Sequence, residues 1–209
     1  MPTHPIRLLI VDDHPAFRAG LVALLSDQAD LHVVAECGDG RQAVELYRRE
    51  RPDVVLMDLR LPGIGGVEAT LAIRQEFPDA RVIVLTTFDA DEDIHRAIQS
   101  GARSYLMKDL TKVEIVGTIR AVQAGRAPLP ASIADKLAER RRRPELTLRE
   151  IEVLQLLVKG RSNKEISVAL SIAEDTVKSH LKTLFAKLGV QDRTAAAISA
   201  IRHGIVPLA

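Results

Sequence analysis

The feature that most constrains the fold is a regular alternation in the first half of the chain. Segments whose apolar residues recur every three or four positions separate five short aliphatic or β-branched runs: RLLIV, HVVAEC, VVLM, RVIVLT and SYLM. The runs predict strands and the segments predict helices, and a fifth helix follows the last strand. This strict alternation predicts an α/β fold, a doubly wound five-stranded parallel sheet that helices cover on both faces.

The second half predicts helices alone, with apolar residues near helical spacing in three successive segments. The inward faces predicted for the first two helices consist of Leu148, Ile151, Leu154 and Val158, and of Ile166, Val168 and Leu170. The second helix is capped by Ser162 or Asn163 and ends in a short turn at Ser171 and Ile172. A short helix followed by a tight turn is typical of a helix-turn-helix.

The third helical segment, AEDTVKSHLKTLFAKLGV, has one apolar and one polar face. Its predicted inward face consists of Val177, Leu181, Leu184, Phe185 and Leu188. Lys178, Ser179 and Lys182 then lie together on the outward face, because residues i and i+4 are one turn apart. This arrangement is typical of a recognition helix, whose polar N-terminal turns can reach base edges. A solvated lysine face is the alternative.

The charge of the chain changes sign near its middle. Residues 1–127 carry 15 Lys and Arg against 19 Asp and Glu, whereas the rest of the chain carries 14 against 9. Two prolines and the run Arg140–Arg143 lie near this change, which indicates a linker. We therefore expect domains at 1–126 and 145–209, joined by a linker at 127–144 that contains a helical turn or more. The arginine run is either a solvated part of the linker or a contact for nucleic-acid phosphates.

Composition excludes several classes of protein. With 46% hydrophobic and 27% charged residues, the chain has the mix of an ordinary soluble globular protein and not of a disordered one. No apolar run approaches the roughly 20 residues that span a bilayer, and the N-terminus lacks the apolar core of a signal peptide. We expect a cytoplasmic protein with no membrane contact. Its single cysteine, Cys37, cannot form an internal disulfide and is predicted to be a strand residue.

Polar residues stand at the ends of the predicted strands, which meet at one edge of the sheet. In chain order these residues are Asp12, Asp13, Asp58, Thr86 and Lys108. Clustered carboxylates repel one another unless a cation compensates them, and Mg²⁺ accepts such oxygen ligands. With a metal in place, Asp58 can act as a nucleophile toward phosphorus while Lys108 and the Thr86 hydroxyl receive the phosphoryl oxygens.

Residues 5 to about 124 resemble the receiver domain of two-component response regulators, which has a flavodoxin-like fold. Four motifs carry the resemblance: VDDHP, VLMDLRLPGIGG, VLTTF and YLMKD. It implies that Asp58 accepts a phosphoryl group and that Lys108 binds this group. It also implies that Thr86 and Tyr105 form a switch pair, in which the hydroxyl moves to the phosphoryl group and the ring turns inward. The implied Mg²⁺ site consists of Asp13, Asp58, the backbone carbonyl of Arg60 and, through water, Asp12.

Two positions depart from the family pattern. Members often have a proline with a cis peptide after the lysine, whereas Asp109 follows Lys108 here. A cis bond before a residue other than proline costs about 2.5 to 4 kcal/mol, and the isomer of this peptide is left open. Thr87 replaces a commoner alanine beside Thr86, which we expect to narrow access to the phosphoryl site and change the lifetime of the phosphoryl group.

Residues from about 145 to 207 resemble the LuxR-type helix-turn-helix of the NarL/FixJ class. The stretch that carries this resemblance is LTLREIEVLQLLVKGRSNKEISVALSIAEDTVKSHLKTLFAKLGVQDRTAA. It implies an all-α four-helix domain whose last helix, RTAAAISAIRHG, is the dimer contact. It also implies major-groove contacts from Lys178, Ser179 and Lys182, and positions near phosphates for Asn163, Lys164 and Thr176.

Together the two resemblances predict a DNA-binding transcription regulator that a sensor histidine kinase controls by phosphorylating Asp58. The expected partners are that kinase, double-stranded DNA and, after phosphorylation, a second copy of the chain; contact with RNA polymerase is left open. We do not expect an enzyme beyond the chain's own phosphoryl transfer and hydrolysis.

Two other interpretations account for some of these residues. A phosphohydrolase would use Asp58 as a turnover nucleophile, but such enzymes commonly have a second acid two residues later, where this chain has Arg60. A regulator that ignores phosphorylation is the third interpretation, and the complete acidic set argues against it.

Overall fold

The structure is a computed structural model that describes residues 4–87 and 90–206. A five-stranded sheet forms the centre of its first part, and all paired strands are parallel. The strands are β1 (Ile6–Val11), β2 (Leu31–Cys37), β3 (Val54–Met57), β4 (Val82–Thr86) and β5 (Ser104–Met107). Their order is β2-β1-β3-β4-β5, which is the flavodoxin-like order and confirms the predicted fold class.

Helices alternate with these strands and cover both faces of the sheet. They are α1 (Pro15–Ser26), α2 (Gly40–Glu50), α3 (Gly66–Glu76), α4 (Asp91–Gln99) and α5 (Lys112–Gln123). Successive residues of a strand point to opposite faces. In β1, Leu8 and Ile10 therefore pack in one core with α1 and α5, while Leu9 and Val11 pack in a second core with α2 and α3.

The sheet order places a binding crevice at a defined position. β1 lies between β2 and β3, so the connections from β1 and β3 leave toward opposite faces of the sheet. In such sheets ligands bind outside the carboxyl ends of the strands at this switch point. The segments that follow β1 and β3 therefore flank the expected site.

The second part of the chain is helical. Its helices are α6 (Ala131–Arg142), α7 (Leu148–Val158), α8 (Asn163–Leu170), α9 (Glu174–Leu188) and α10 (Arg193–Arg202). Residues of α7 to α10 share one apolar core, which confirms the all-α four-helix domain. The main division between two compact units lies between Asp135 and Lys136, and the stretch expected as a linker contains the 12-residue helix α6.

Capping boxes begin two helices of this second unit. The Thr147 side chain accepts from the Glu150 backbone N–H at the start of α7, and Ser162 accepts from Glu165 at the start of α8. In each box the glutamate side chain accepts in return from the backbone N–H of the capping residue, so two unpaired donors are satisfied. Of the two residues expected to cap α8, the structure has Ser162.

The prediction of a buried side chain is wrong for two residues. Leu148 is 82% exposed, because the inward face of α7 is formed by Glu150, Val153, Leu154 and Leu157. Val168 is 75% exposed. It lies two residues after the buried Ile166, and residues two apart do not share a helix face, so the spacing that placed Val168 in the core is that of a strand.

Three further expectations concern Cys37, membrane contact and one peptide bond. Cys37 is a strand residue, as predicted, and it is buried at the end of β2. No helix within residues 4–87 and 90–206 is long and apolar enough to cross a membrane. The described peptide bonds, including the one between Lys108 and Asp109, are trans.

Candidate functional site

The carboxyl ends of β1, β3 and β5 bring one lysine and two carboxylates together. Lys108 Nζ lies 2.7 Å from Asp12 Oδ2 and 2.7 Å from Asp58 Oδ2. Both aspartates are buried, with exposures of 2% and 3%. The Asp58 backbone N–H donates to the Val11 carbonyl at 2.8 Å, which continues the pairing of β1 with β3 into the site. Residues far apart in sequence meet here because parallel strands end at the same edge.

In the trio of Asp12, Asp58 and Lys108, burial and ion pairing have opposite effects on the pKa values of Asp58 and Lys108. Burial raises the pKa of Asp58, and the hydrogen bond and charge of Lys108 reduce this shift without cancelling it. Burial lowers the pKa of Lys108, but hydrogen bonds to Asp12 and Asp58 outweigh it and hold the pKa above its usual value. Lys108 therefore stays charged. Its single positive charge is paired with two carboxylates, so the trio has excess negative charge.

Asp13 and His14 extend this group toward solvent. Ligand atoms of Asp12, Asp13, His14 and Asp58 all lie within 4.8 Å of one another. His14 Nδ1 is 2.6 Å from Asp13 Oδ1 and 3.5 Å from Asp12 Oδ1. Several carboxylates with excess negative charge can hold a divalent cation. His14 was not among the site residues predicted from the sequence, although its position directly after two aspartates at a strand end could have indicated it.

The loop after β3 is held against the Asp58 backbone. The Arg60 backbone N–H donates to Asp58 Oδ1 at 3.4 Å, and the Gly66 N–H donates to the Leu59 carbonyl at 2.9 Å. A Cβ atom at Gly66 would collide with the Asp58 carbonyl oxygen. The glycine at the start of α3 therefore allows the close approach that fixes the position of Asp58.

Thr86 and Tyr105, the expected switch pair, are both fully buried on neighbouring strands. Thr86 pairs with Met107, two residues after Tyr105, so the side chains of Thr86 and Tyr105 point to the same face of the sheet. The aromatic ring thus has an inward position in this structure. Thr87 is exposed at the end of β4, and Phe88 of the VLTTF motif lies outside the described residues.

Two residues of α1 also support the site, and neither was predicted from the sequence. Arg18 Nη1 donates to the Asp12 carbonyl at 2.6 Å, and its Nε lies 3.5 Å from Glu36 Oε2. Lys108 Nζ lies 4.8 Å from the centroid of the Phe17 ring. The turn after β1 is therefore held by a guanidinium, and an aromatic ring covers one side of the lysine. The sequence feature that could have indicated Phe17 and Arg18 is their position in the helix that follows the two aspartates.

In the second unit, α8, a turn and α9 form the predicted helix-turn-helix. Ser171 ends α8 in the left-handed conformation, with a φ of 53°. Arg149 of α7 donates to the Leu170 carbonyl at 2.8 Å and so anchors the end of α8. Lys187 Nζ lies 2.7 Å from Oε2 of the buried Glu150, which anchors α9 to α7. Both helices thus have fixed positions in this domain.

The residues expected to contact DNA lie at the surface of α8 and α9. The inward face of α9 is buried on Val177, Leu181 and Leu184, so the opposite face points away from the core. The exposed residues are Lys164, Thr176, Lys178, Ser179 and Lys182, and Asn163 is half-buried. Lys178 Nζ lies 2.9 Å from Asp175 Oδ1, and this carboxylate raises the pKa of the lysine. The outward face of α9 is therefore basic, with one lysine paired to an acid.

Comparison with known proteins identifies both parts of the chain. The family described as "Response regulator receiver domain" matches residues 8–120, which is more than half of the chain. The family described as "Bacterial regulatory proteins, luxR family" matches residues 144–200. These ranges contain, respectively, the strand-end residues and the helix-turn-helix described above.

Relatives that match along the whole chain have the same organisation. The transcriptional regulatory protein LiaR of Bacillus subtilis (strain 168) is 42% identical, over 96% of this chain and 99% of LiaR. The response regulator ChrA of a heme-sensing two-component system is 37% identical, with a TM-score of 0.59 over 97% of this chain and 99% of ChrA. RcsB, solved as two dimers bound to two DNAs, is 25% identical, with a TM-score of 0.71 over 94% of this chain and 98% of RcsB. The chain therefore belongs to the two-component response regulators of the NarL class, with a receiver domain followed by a LuxR-type DNA-binding domain.

Proposed function

We propose that this response regulator accepts a phosphoryl group on Asp58 from a sensor histidine kinase, and that phosphorylation controls its binding to double-stranded DNA. The observation that carries the proposal is the trio of Asp12, Asp58 and Lys108, with both carboxylates buried and 2.7 Å from one ammonium group. Burying two carboxylates beside one lysine is costly for the fold, and a phosphoryl-transfer site accounts for that cost.

The two oxygens of Asp58 have different surroundings, which indicates the attacking atom. Oδ2 accepts from Lys108 Nζ at 2.7 Å, whereas Oδ1 accepts a longer hydrogen bond of 3.4 Å from the Arg60 N–H. Oδ1 forms the bond to phosphorus, the bond from phosphorus to the imidazole nitrogen of the kinase histidine breaks, and the imidazole leaves. Lys108 then turns to the phosphoryl oxygens and neutralises their charge.

Mg²⁺ is the cofactor that this site fits. Asp13, Asp58 and the backbone carbonyl of Arg60 would hold it directly, while Asp12 would act through water because Lys108 already occupies its Oδ2 at 2.7 Å. The acidic group supports this assignment by its excess negative charge and by its ligand atoms, which lie within 4.8 Å of one another. When bound, Mg²⁺ lowers the repulsion between the carboxylate and the incoming phosphoryl oxygens.

We propose that the protein does not turn over external phosphate esters. A phosphohydrolase of this kind needs a second acid near its nucleophile to protonate the leaving group, and Arg60 stands two residues after Asp58. An imidazole leaving group from the kinase does not need that acid. We therefore propose no catalysis beyond transfer to Asp58 and its later hydrolysis, in a protein of the cytoplasm.

DNA recognition is assigned to the outward surface of α8 and α9. Lys178, Ser179 and Lys182 would contact bases in the major groove, since they share the exposed face of α9. The residues assigned to positions near phosphates are Asn163, Lys164 and Thr176. A dimer through α10 is favoured by its exposed Ile198, and a two-fold dimer would read two half-sites. RNA polymerase is a further candidate partner.

Phosphorylation would reach the DNA-binding half through Thr86 and Tyr105. The Thr86 hydroxyl would move to the phosphoryl group, and the inward position of the Tyr105 ring would then be stabilised. We propose the boundaries 1–126 for the receiver, 127–144 for the linker and 145–209 for the DNA-binding domain.

Labelling with acetyl phosphate tests the acceptor. Incubation with acetyl phosphate and Mg²⁺ should add one acid-labile phosphoryl group, seen by intact mass, and Asp58→Asn should remove it. The exposed Asp79→Asn is the matched control and should be labelled like the wild type. Unchanged labelling of Asp58→Asn would refute the acceptor, and equal labelling with and without Mg²⁺ would refute the metal.

A further inference from the structure

We propose that His14 is an additional ligand of the divalent cation and shifts the metal preference of the receiver site from Mg²⁺ toward transition-metal ions such as Co²⁺. This inference rests on the proposed function, because it concerns the same acidic group. It adds a residue and a metal selectivity that the carboxylate set alone does not give.

The distances suit a shared ion. Two donors that bind one ion at about 2.1 Å lie about 3 Å apart in neighbouring positions and about 4 Å apart in opposite positions. His14 Nδ1 lies 2.6 Å from Asp13 Oδ1 and 3.5 Å from Asp12 Oδ1. Donor atoms of the four residues lie within 4.8 Å of one another, so shifts of less than about 1 Å bring those of Asp13, His14 and Asp58 onto one ion, with Asp12 held through water.

The backbone fixes His14 at the site while most of its ring stays exposed to solvent. The His14 backbone N–H donates to Asp12 Oδ1 at 2.9 Å, and His14 is the residue that precedes α1. Its side chain is 70% exposed. The ring can therefore reorient toward an ion without displacing a packed neighbour.

The chemistry of the added donor determines the selectivity. Mg²⁺ prefers oxygen ligands and gives up water reluctantly, so an imidazole within reach adds little to its binding. Imidazole suits Co²⁺, Ni²⁺ and Zn²⁺, whose affinities for nitrogen-containing sites are higher. A site of carboxylates with one imidazole should therefore discriminate in favour of these ions more strongly than a site of oxygen donors alone.

Calorimetric titration of the full-length protein with Mg²⁺ and with Co²⁺ tests this selectivity. Loss of an outer partner of a metal ligand typically weakens binding about 10- to 100-fold, and loss of a direct ligand should have at least this effect. We expect His14→Ala to weaken Co²⁺ binding by about tenfold or more. Mg²⁺ binding should change by less than about threefold.

His32→Ala is the matched control. His32 is exposed on β2, where it pairs with Arg7 near the start of β1, at the opposite end of the strands from the acidic group. Its substitution removes one imidazole from the same sheet without touching the site. Both metal affinities should equal those of the wild type.

A spectroscopic readout distinguishes a ligand from a residue that only positions Asp13. In the Co²⁺-loaded protein, one imidazole should give hyperfine-shifted ring resonances, which should disappear in His14→Ala and persist in His32→Ala. Co²⁺ binding without such resonances, or equal weakening of both ions by His14→Ala, would overturn the role of His14 and leave the acceptor site intact. A wild type that binds neither ion would overturn the metal site of the proposed function as well.

Discussion

At the residue scale, Asp58 shares one lysine with Asp12 although both carboxylates are buried. Because burial raises the pKa of Asp58 in the folded protein, its ionisation opposes folding. Stability from this group is fully present below the ordinary pKa of 3.8 and is lost as the pH rises through the raised folded value. At neutral pH the ionised Asp58 carboxylate therefore lowers the free energy of unfolding.

The Asp58→Asn variant should be more stable than the wild type at pH 7, since it removes a buried charge and leaves Lys108 paired with Asp12. We expect a gain of roughly 1 kcal/mol at pH 7. It should shrink as the pH falls through the raised folded pKa of Asp58 and be absent below 3.8, where Asp58 is neutral in both states. Thermal unfolding between pH 3 and pH 8 measures this difference.

The exposed Asp79→Asn serves as the control for this stability series and should differ little from the wild type at any pH. A loss of stability in Asp58→Asn at pH 7 would mean that the ion pair with Lys108 outweighs the burial of Asp58.

At the scale of single helices, the outward face of α9 and the start of α8 should contribute differently to DNA binding. Lys178→Ala should weaken specific binding by about 1 to 3 kcal/mol and relax discrimination at one base position in each half-site. Lys164 is exposed at the start of α8, where an ammonium group and a helix N-terminus would both meet phosphate. Lys164→Ala should therefore weaken specific and non-specific DNA binding alike. It should also lower the salt slope by about one unit for each phosphate that Lys164 neutralises.

Affinity for specific and scrambled duplexes over a range of salt concentrations separates these two roles. Lys159→Ala removes an exposed lysine that follows α7 and controls for the loss of positive charge alone. If Lys178→Ala weakens binding to both duplexes equally, Lys178 contacts the backbone only, and α9 does not lie in the groove as proposed.

Elements with strong local patterns could be predicted from the sequence. All four residues of β3 are buried, and its apolar run VVLM matches the observed bounds. The bounds of β1 are one residue wider than predicted, because Ile6 is separated from the apolar run by the polar Arg7. The trio of Asp12, Asp58 and Lys108 could also be predicted, since parallel strands end at one edge and each residue follows a strand.

Features that depend on packing between helices could not be predicted. Leu148 and Val168 are apolar but exposed, because the orientation of a short helix is set by its neighbours and not by its own composition. Glu150 is polar but buried, because Lys187, 37 residues later, supplies its counter-charge. The places of His14 and Arg18 close after Asp12 and Asp13 are visible in the sequence, but the atoms that they contact there are not.

At the scale of the whole molecule, phosphorylation and DNA binding are coupled only if the phosphoryl group favours one of two conformations. Thr86 is the proposed link, and it is fully buried at the end of β4. Thr86→Ala should still be phosphorylated, because Asp58 and Lys108 are unchanged. Phosphorylation should then increase dimer population and DNA affinity less than in the wild type. Sedimentation velocity and DNA titration of both forms measure this coupling.

Thr86→Ser keeps the hydroxyl and is the control for the coupling experiment, so its response to phosphorylation should resemble that of the wild type. A wild-type protein that remains a monomer and binds its operator equally well in either state would contradict the coupling itself.

The order of the strands along the chain has a consequence for protein synthesis. Asp12 and Asp58 follow β1 and β3, but their shared lysine follows β5, the last strand to be made. Because translation proceeds from the N-terminus, a growing chain has both acids before it has their counter-ion. A nascent or prematurely terminated chain that lacks residue 108 therefore cannot form the group of Asp12, Asp58 and Lys108. We therefore expect such fragments not to be phosphorylated at Asp58.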